Sequence, residues 1–236
     1  MTKPSEMKIV VSRNGPFMVS GKVPLAIWSI IPGRDGIPWE WKEGRKFETE
    51  EEYSLCRCGG SEEKPFCDDT HLKTKFKGKE TASRLSFADQ ARNFYGPTLT
   101  LSDAEELCSL ARFCEAEGGI WKLTQTDGPK ARDLVIREAN YCPAGRLVVQ
   151  DRKTGKVNEE ALPPSIGVVE DPGLGLSGPL WVRGGIRIES EDGKPYEVRN
   201  RVTLCRCGAS MNKPLCDRAH VDVDFQDGLV EFEETK

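Results

Sequence analysis

With 236 residues, 34 Lys and Arg against 38 Asp and Glu, and a net charge of −4, the chain is long enough for several units. It has no basic surplus to hold nucleic acid or an anionic membrane surface. The longest apolar run, VPLAIWSIIP at 23–32, is about half a membrane span, so no membrane insertion is expected.

Taken in chain order, the N-terminal MTKPSEMKIVV lacks the charged-then-apolar design of a secretory leader, which predicts a cytoplasmic protein. The apolar run at 23–32 reads as a buried strand, and RDGIPWEWKEG at 34–44 as an Asp-Gly turn between strands, with Trp39 on the second. CRCGGSEEKPFCDDTH follows at 56–71 and offers Cys56, Cys58, Cys67 and His71 as ligands.

Residues 81–165 differ in character. SDAEELCSLARFCEAEG at 102–118 has Ser102 and Glu105 in capping-box spacing, and Leu107, Leu110, Ala111 and Cys114 form a helical stripe. A helix is therefore expected over about 103–116, then a strand at 120–125, a helix from Pro129 to Asn140 and a strand at 146–150. On one helix, Cys108 and Cys114 would sit six residues apart and face different directions, which argues against a shared metal.

The last part repeats the first. GPFMVSGKVPLAI at 15–27 is loosely echoed by PGLGLSGPLWVRGGI at 172–186, and EDGKPYEVRNR at 191–201 again reads as strand, Asp-Gly turn and strand, with Tyr196 where Trp39 stands. CRCGASMNKPLCDRAH at 205–220 then offers Cys205, Cys207, Cys216 and His220, each 149 positions beyond its counterpart. Phe76 and Phe225 both follow their histidine by five residues.

Both histidines of the chain and six of its nine cysteines fall in these two C-x-C-x8-C-x3-H patterns. Sulfur and imidazole at fixed short spacing select zinc, copper or iron–sulfur clusters over hard cations. Structural zinc usually takes its first pair from C-x2–4-C, whereas two cysteines one residue apart in extended backbone can grip one iron. Cys67 and His71, at i and i+4 of a helical turn, can grip a second, so the spacing favours a [2Fe–2S] cluster and leaves zinc as the alternative. Ligands that must stay thiolates suit a reducing compartment.

These residues resemble the CDGSH iron–sulfur family, also called NEET proteins, with Ser61, Pro65, Asp68 and Thr70 in the first copy and Ser210, Pro214, Asp217 and Ala219 in the second. The departure is the motif glycine, replaced by Asp69 and Arg218, which bears on backbone conformation and on charge beside each cluster. The resemblance implies one [2Fe–2S] cluster per motif, two per chain. It puts Cys56 and Cys58 (Cys205 and Cys207) on an inner iron, and Cys67 and His71 (Cys216 and His220) on an outer, solvent-facing one. It also implies a β-rich α+β fold in which 1–80 and 166–236 are NEET-like β-cap and cluster-binding units, pairing as an intramolecular pseudo-dimer rather than as beads on a string. The middle segment 81–165 resembles a divergent single-cluster ferredoxin through Cys108, Cys114 and Cys142-Pro143, with Ala111 where a further cysteine would stand. With no histidine left, a third cluster at Cys108, Cys114 and Cys142 is not expected, and buried thiols are.

Arg57 and Arg206, between the paired cysteines, either offset cluster charge or are exposed loop residues. Ser61 and Ser210 are read as fixing the loop or donating to cluster sulfur, Asp68 and Asp217 as capping the turn that carries the histidine, and the five tryptophans as core in strands. No nucleophile–base pair and no phosphate loop are found, so the expectation is a non-enzymatic electron- or cluster-transfer protein. Its partner would be a redox protein or an apo-acceptor, and the chain itself a monomer. The alternatives are an electron-transfer component docked to an oxidoreductase through 81–165, and a zinc-binding structural protein.

Overall fold

The computed structural model describes residues 6–230, so the first five residues read for a leader lie outside it. Five strands precede and enter the first motif: β1 (Lys8–Val11), β2 (Phe17–Ser20), β3 (Leu25–Pro32), β4 (Pro38–Phe47) and β5 (Glu52–Leu55). The single turn α1 (Thr70–Lys73) carries His71, and α2 (Phe87–Gln90) begins the middle segment. That segment continues with β6 (Arg92–Tyr95), β7 (Leu99–Asp103), α3 (Ile120–Gln125), α4 (Pro129–Tyr141) and β8 (Leu147–Asp151). The last part holds β9 (Ser165–Asp171), β10 (Leu176–Arg183), β11 (Arg187–Ser190), β12 (Arg201–Leu204) and the turn α5 (Ala219–Asp222) that carries His220. The fold is α+β and rich in strands.

The two repeats exchange strands. One sheet runs β11-β1-β2-β5 and the other β12-β10-β9-β3-β4. β11 joins β1 in parallel, with Ile188 opposite Ile9, and β3 joins β9 in parallel, with Ile27 opposite Val168. Each cysteine motif thus follows a strand of its own sheet, β5 or β12, while a strand from the other repeat extends that sheet. The apolar run at 23–32 is indeed a strand, held between β9 and β4.

Burial explains the exchange. β1 alternates half-buried and buried residues, and its inward Ile9 and Val11 meet Phe17, Leu25 and Leu55 of the first repeat and Ile166, Leu180, Ile188 and Leu204 of the second in one core. A fully buried side chain of this size contributes about 1.5–3 kcal/mol, and a repeat of this length has too little interior to supply such a core alone. The middle segment packs α3 and α4 on the sheet β6-β7-β8 around Leu99, Leu101, Ile120, Val135 and Leu147. Ile30, Phe113, Val169 and Trp181 join it to the outer face of the five-stranded sheet.

Four local expectations are corrected. Residues 103–116 do not form one helix: Ser102 belongs to β7, and only short 3-10 turns follow at Glu105–Leu107 and Phe113–Gly118. Leu110, Arg112 and Glu117 have φ of 56°, 60° and 50°, left-handed backbone that no helix can contain. Residues 120–125 are helix rather than strand, entered through Gly118 and Gly119 at φ 91° and 96° and burying Ile120 and Thr124, one helical turn apart. The second Asp-Gly hairpin shrinks to a bridge between Glu189 and Pro195, so Tyr196, buried at 7%, does not match Trp39, exposed at 44%. Of the tryptophans Trp181 is fully core, whereas Trp121 lies on α3 and Trp39 on the surface of β4. The helix Pro129–Tyr141 and the strand Leu147–Asp151 lie where they are expected.

Candidate metal centres

Each motif folds as two chelating pairs. Cys56 Sγ and Cys58 Sγ lie 3.8 Å apart and Cys67 Sγ lies 3.4 Å from His71 Nδ1. The second motif repeats this at 3.7 Å for Cys205 and Cys207 and 3.5 Å for Cys216 and His220 Nδ1. The strand leading in places the first pair and the helical turn places the second. Two backbone bonds hold the pairs together: Cys56 N–H donates to Pro65 O and Cys67 N–H to Ser54 O, matched by Cys205 to Pro214 and Cys216 to Thr203.

The loop between the pairs is fixed by the hydroxyls and carboxylates of the motif. Ser61 Oγ donates to Phe66 O at 2.7 Å and accepts from Glu63 N–H at 3.0 Å, and Ser210 does the same with Leu215 and Asn212. Asp68 accepts from Glu62 N–H and Thr70 N–H, tying loop to helical turn, as Asp217 does with Met211 and Ala219. These bonds favour the ionised form and hold the Asp68 carboxyl well below its usual range. Both serines therefore fix the loop, and both aspartates, one position before the N-cap residues Asp69 and Arg218, tie it to the first residue of the turn. Asp69 and Arg218 have φ of 65° and 71°, so the left-handed backbone a glycine would supply is kept at a cost of roughly 1 kcal/mol.

The sites differ in exposure. Cys67 and His71 are half-buried, but Cys216 is 3% and His220 6% exposed, so the second outer pair does not face solvent as expected. The middle segment covers it: Asn212 Nδ2 donates to Glu106 O at 3.3 Å, and Cys108 lies close enough to raise the Cys216 thiol after burial has done most of that work. Burial pushes His220 down to about 4, with Arg206 adding to it, and pushes the Cys58 thiol up to about 11. The hydrogen bond from Cys207 instead brings the Cys205 thiol down to about 6, so the buried thiols at Cys58 and Cys216 are the ones that need a cation to become thiolates. At the first site an Asp69 oxygen, a ligand atom that spacing does not single out, lies within 4.8 Å of both Cys67 Sγ and a His71 ring nitrogen.

Arg57 and Arg206 are 1% and 3% exposed, which removes the exposed-loop reading. They are buried differently. Arg206 is bracketed by Glu170 and Asp227 and donates to the Gly178 and Val169 carbonyls. Among the described residues Arg57 donates only to the Ser12 and Gly78 carbonyls, and it stacks on Phe17 and Phe76. The two C-x-C loops also touch. A Cβ on Gly59 would sit 2.5 Å from Cys207 O, and one on Gly208 would strike Cys58 O.

In the middle segment, burial drives the Cys114 thiol up to about 12, and Cys142 and Cys108 add to it, so the three cysteines share one neighbourhood. This overturns the argument that Cys108 and Cys114 face apart on a helix. Arg146, clamped on Asp103, lies near Cys108.

The sequence pattern of the family described as iron-binding zinc finger, CDGSH type, matches residues 14–72 and again 177–221. That of the divergent 4Fe-4S mono-cluster family matches 94–152 between them. The chain is a tandem CDGSH protein. No curated protein and no solved structure matches it. Both pairs of ligands in each repeat of this tandem CDGSH protein lie inside or within the matched stretches, and the family supports iron–sulfur cluster binding. Among the described residues no helix is long and apolar enough to cross a membrane.

Proposed function

We propose that the chain binds two [2Fe–2S] clusters, one at Cys56, Cys58, Cys67 and His71 and one at Cys205, Cys207, Cys216 and His220, and acts in electron transfer or cluster transfer rather than as an enzyme. The observation that carries this is the division of each ligand set into two pairs of 3.4–3.8 Å rather than one tetrahedral set. A cluster held this way supplies one-electron chemistry, and a neutral imidazole in place of a thiolate raises its potential above the roughly −400 mV of all-cysteine plant-type centres. The reciprocal parallel pairings β1–β11 and β3–β9 favour reading the repeats as an intramolecular pseudo-dimer, with 81–165 as a docked ferredoxin-like segment. That makes the working unit a monomer, and the cytoplasm, with its reduced thiols, its compartment.

His71, at the solvent edge, is the ligand that acid reaches first, and its protonation frees the outer iron for a redox partner or an apo-acceptor. We count two clusters because the middle segment offers three thiols and no histidine, with the Arg146 guanidinium near one of them. Anaerobic purification tests the reading: about four iron and four sulfide per chain, visible bands and a paramagnetic signal on reduction are expected. A colourless zinc protein would overturn it, and a surplus of iron lost on Cys142→Ala would overturn the count.

A further inference from the structure

Outside the metal centres, the buried cation among the described residues that lines a cavity without an anion to meet it is Arg183, at the end of β10. It is 9% exposed, its Nε is buried without a partner, and among the described residues no ion pair reaches its guanidinium. What it has instead is the faces of two tryptophans, Trp28 at 4.4 Å and Trp181 at 4.6 Å. The carboxylate whose charge acts on it, Glu43, is paired with Lys46 at 3.6 Å. A buried cation costs folding free energy unless an anion or a set of acceptors meets it, and stacking on rings offsets only part of that cost. Two other buried arginine charges are met, Arg206 by two carboxylates and Arg201 by Glu159 and four carbonyls, while Arg57 belongs to the first metal centre.

Arg183 lines a cavity of about 210 Å³ between the outer face of the five-stranded sheet and the middle segment. Trp28, Trp41 and Trp181 form its aromatic wall: Trp41 stacks on Trp181 with centroids 4.7 Å apart, and Trp28 meets Trp181 edge-on at 5.5 Å. Trp41 Nε1 donates to Tyr141 O at 3.0 Å, so the wall is set by docking of α4 and exists only in the assembled chain. Glu160 is the one carboxylate among the lining residues, and it is exposed. The volume falls below the roughly 300–1,000 Å³ of sites for drug-sized ligands, which limits an occupant to one or two rings.

We propose that this cavity binds a small planar aromatic carboxylate, its carboxylate on the Arg183 guanidinium and its ring against Trp28 and Trp41. The guanidinium fork matches a carboxylate, and flat apolar walls match a planar ring better than a free inorganic anion. This site is independent of the cluster count.

The test is calorimetric titration of the full-length, cluster-loaded protein with sodium 2-naphthoate, with neutral 2-naphthylmethanol and inorganic phosphate as comparisons. Saturable one-to-one binding of 2-naphthoate is expected, at least tenfold tighter than either comparison and weakened at least tenfold by Arg183→Gln. Absence of saturable heat, equal binding of the alcohol or of phosphate, or unchanged affinity in Arg183→Gln would each overturn the site. Melting supplies a second readout. Without ligand, Arg183→Gln should raise Tm, because it removes an unpaired buried charge. A fall in Tm matched by Glu43→Gln would mean that Glu43 is the partner, and the proposal would fail.

Discussion

Gly59→Ala tests whether the two metal centres are mechanically one. Gly59 has φ of 79°, and an added Cβ would lie 2.5 Å from the Cys207 carbonyl oxygen and 2.9 Å from its carbon. The atoms struck are backbone, so no side chain can swing away. Left-handed backbone costs an alanine roughly 1–2 kcal/mol, and overpacking a rigid contact about 1–3 kcal/mol more. The sum, about 2–5 kcal/mol, is a large share of ordinary stability and corresponds to a fall in Tm of roughly 5–15 °C for a chain of this size. The strain falls on Cys207, a ligand residue of the other repeat. The decisive assay places Gly59→Ala in a Cys67→Ser background, where only the second cluster remains, and follows its visible absorbance anaerobically. That cluster should decay several-fold faster than in Cys67→Ser alone, and Gly208→Ala in a Cys216→Ser background should mirror the effect on the first. If Gly59→Ala leaves the second cluster's decay and the melting point unchanged, the loop contact does not couple the centres.

Three further outcomes follow from burial and charge. Acid should strip the two sites at different rates: burial holds the His220 ring neutral down to about pH 4 while His71 sits at the solvent edge, so decay at pH 5.5 should show a fast phase that His71→Cys abolishes, and a single phase would count against it. The potentials should split with the first site higher. One buried positive charge, Arg57, has no contacting carboxylate among the described residues and only the carboxylate of Glu80 acting on it from further off, against Arg206 with Glu170 and Asp227 in contact at the second, and the opposite difference between exposed Asp69 and Arg218 is screened by solvent. A redox titration whose upper wave moves on His220→Cys rather than His71→Cys would refute this order. Glu138 on α4 is fully buried with both carboxylate oxygens unpartnered among the described residues, and burial raises its pKa to about 8. Its folded pKa exceeds the unfolded value, so stability is complete below about pH 4.5 and lost as pH rises through 8. Glu138→Gln should therefore raise Tm by several degrees at pH 9 and by much less at pH 5.5, and parallel melting curves across that range would exclude the effect.

The ligand sets were legible in the sequence because chelation by pairs depends on short-range geometry. Cys56 with Cys58, and Cys67 with His71, are placed by one strand end and one helical turn, and no distant residue is needed to bring each pair to 3.4–3.8 Å. The same holds for Pro129–Tyr141, whose periodicity lies within one element. Where several local conformations compete, spacing misled: a helix expected over about 103–116 was broken by the left-handed residues Leu110 and Arg112. Alternation at 120–125 suited a strand until two glycines turned the chain into a helix.

The tertiary structure alone decided everything that depends on which surfaces meet. Spacing makes the two centres identical, yet packing of 105–108 on the second motif buries Cys216 and His220 and leaves Cys67 and His71 at the solvent edge. Two arginines in the same motif position acquire opposite surroundings because Glu170 and Asp227 reach only one of them. Arg183 next to three tryptophans is a property of β3, β4 and β10 lying in one sheet, with β9 between β10 and β3, against α4, residues separated by up to 155 positions. Local chemistry is carried by the order of residues along the chain, whereas burial and charge compensation arise between segments and are set by the core that both repeats must build together.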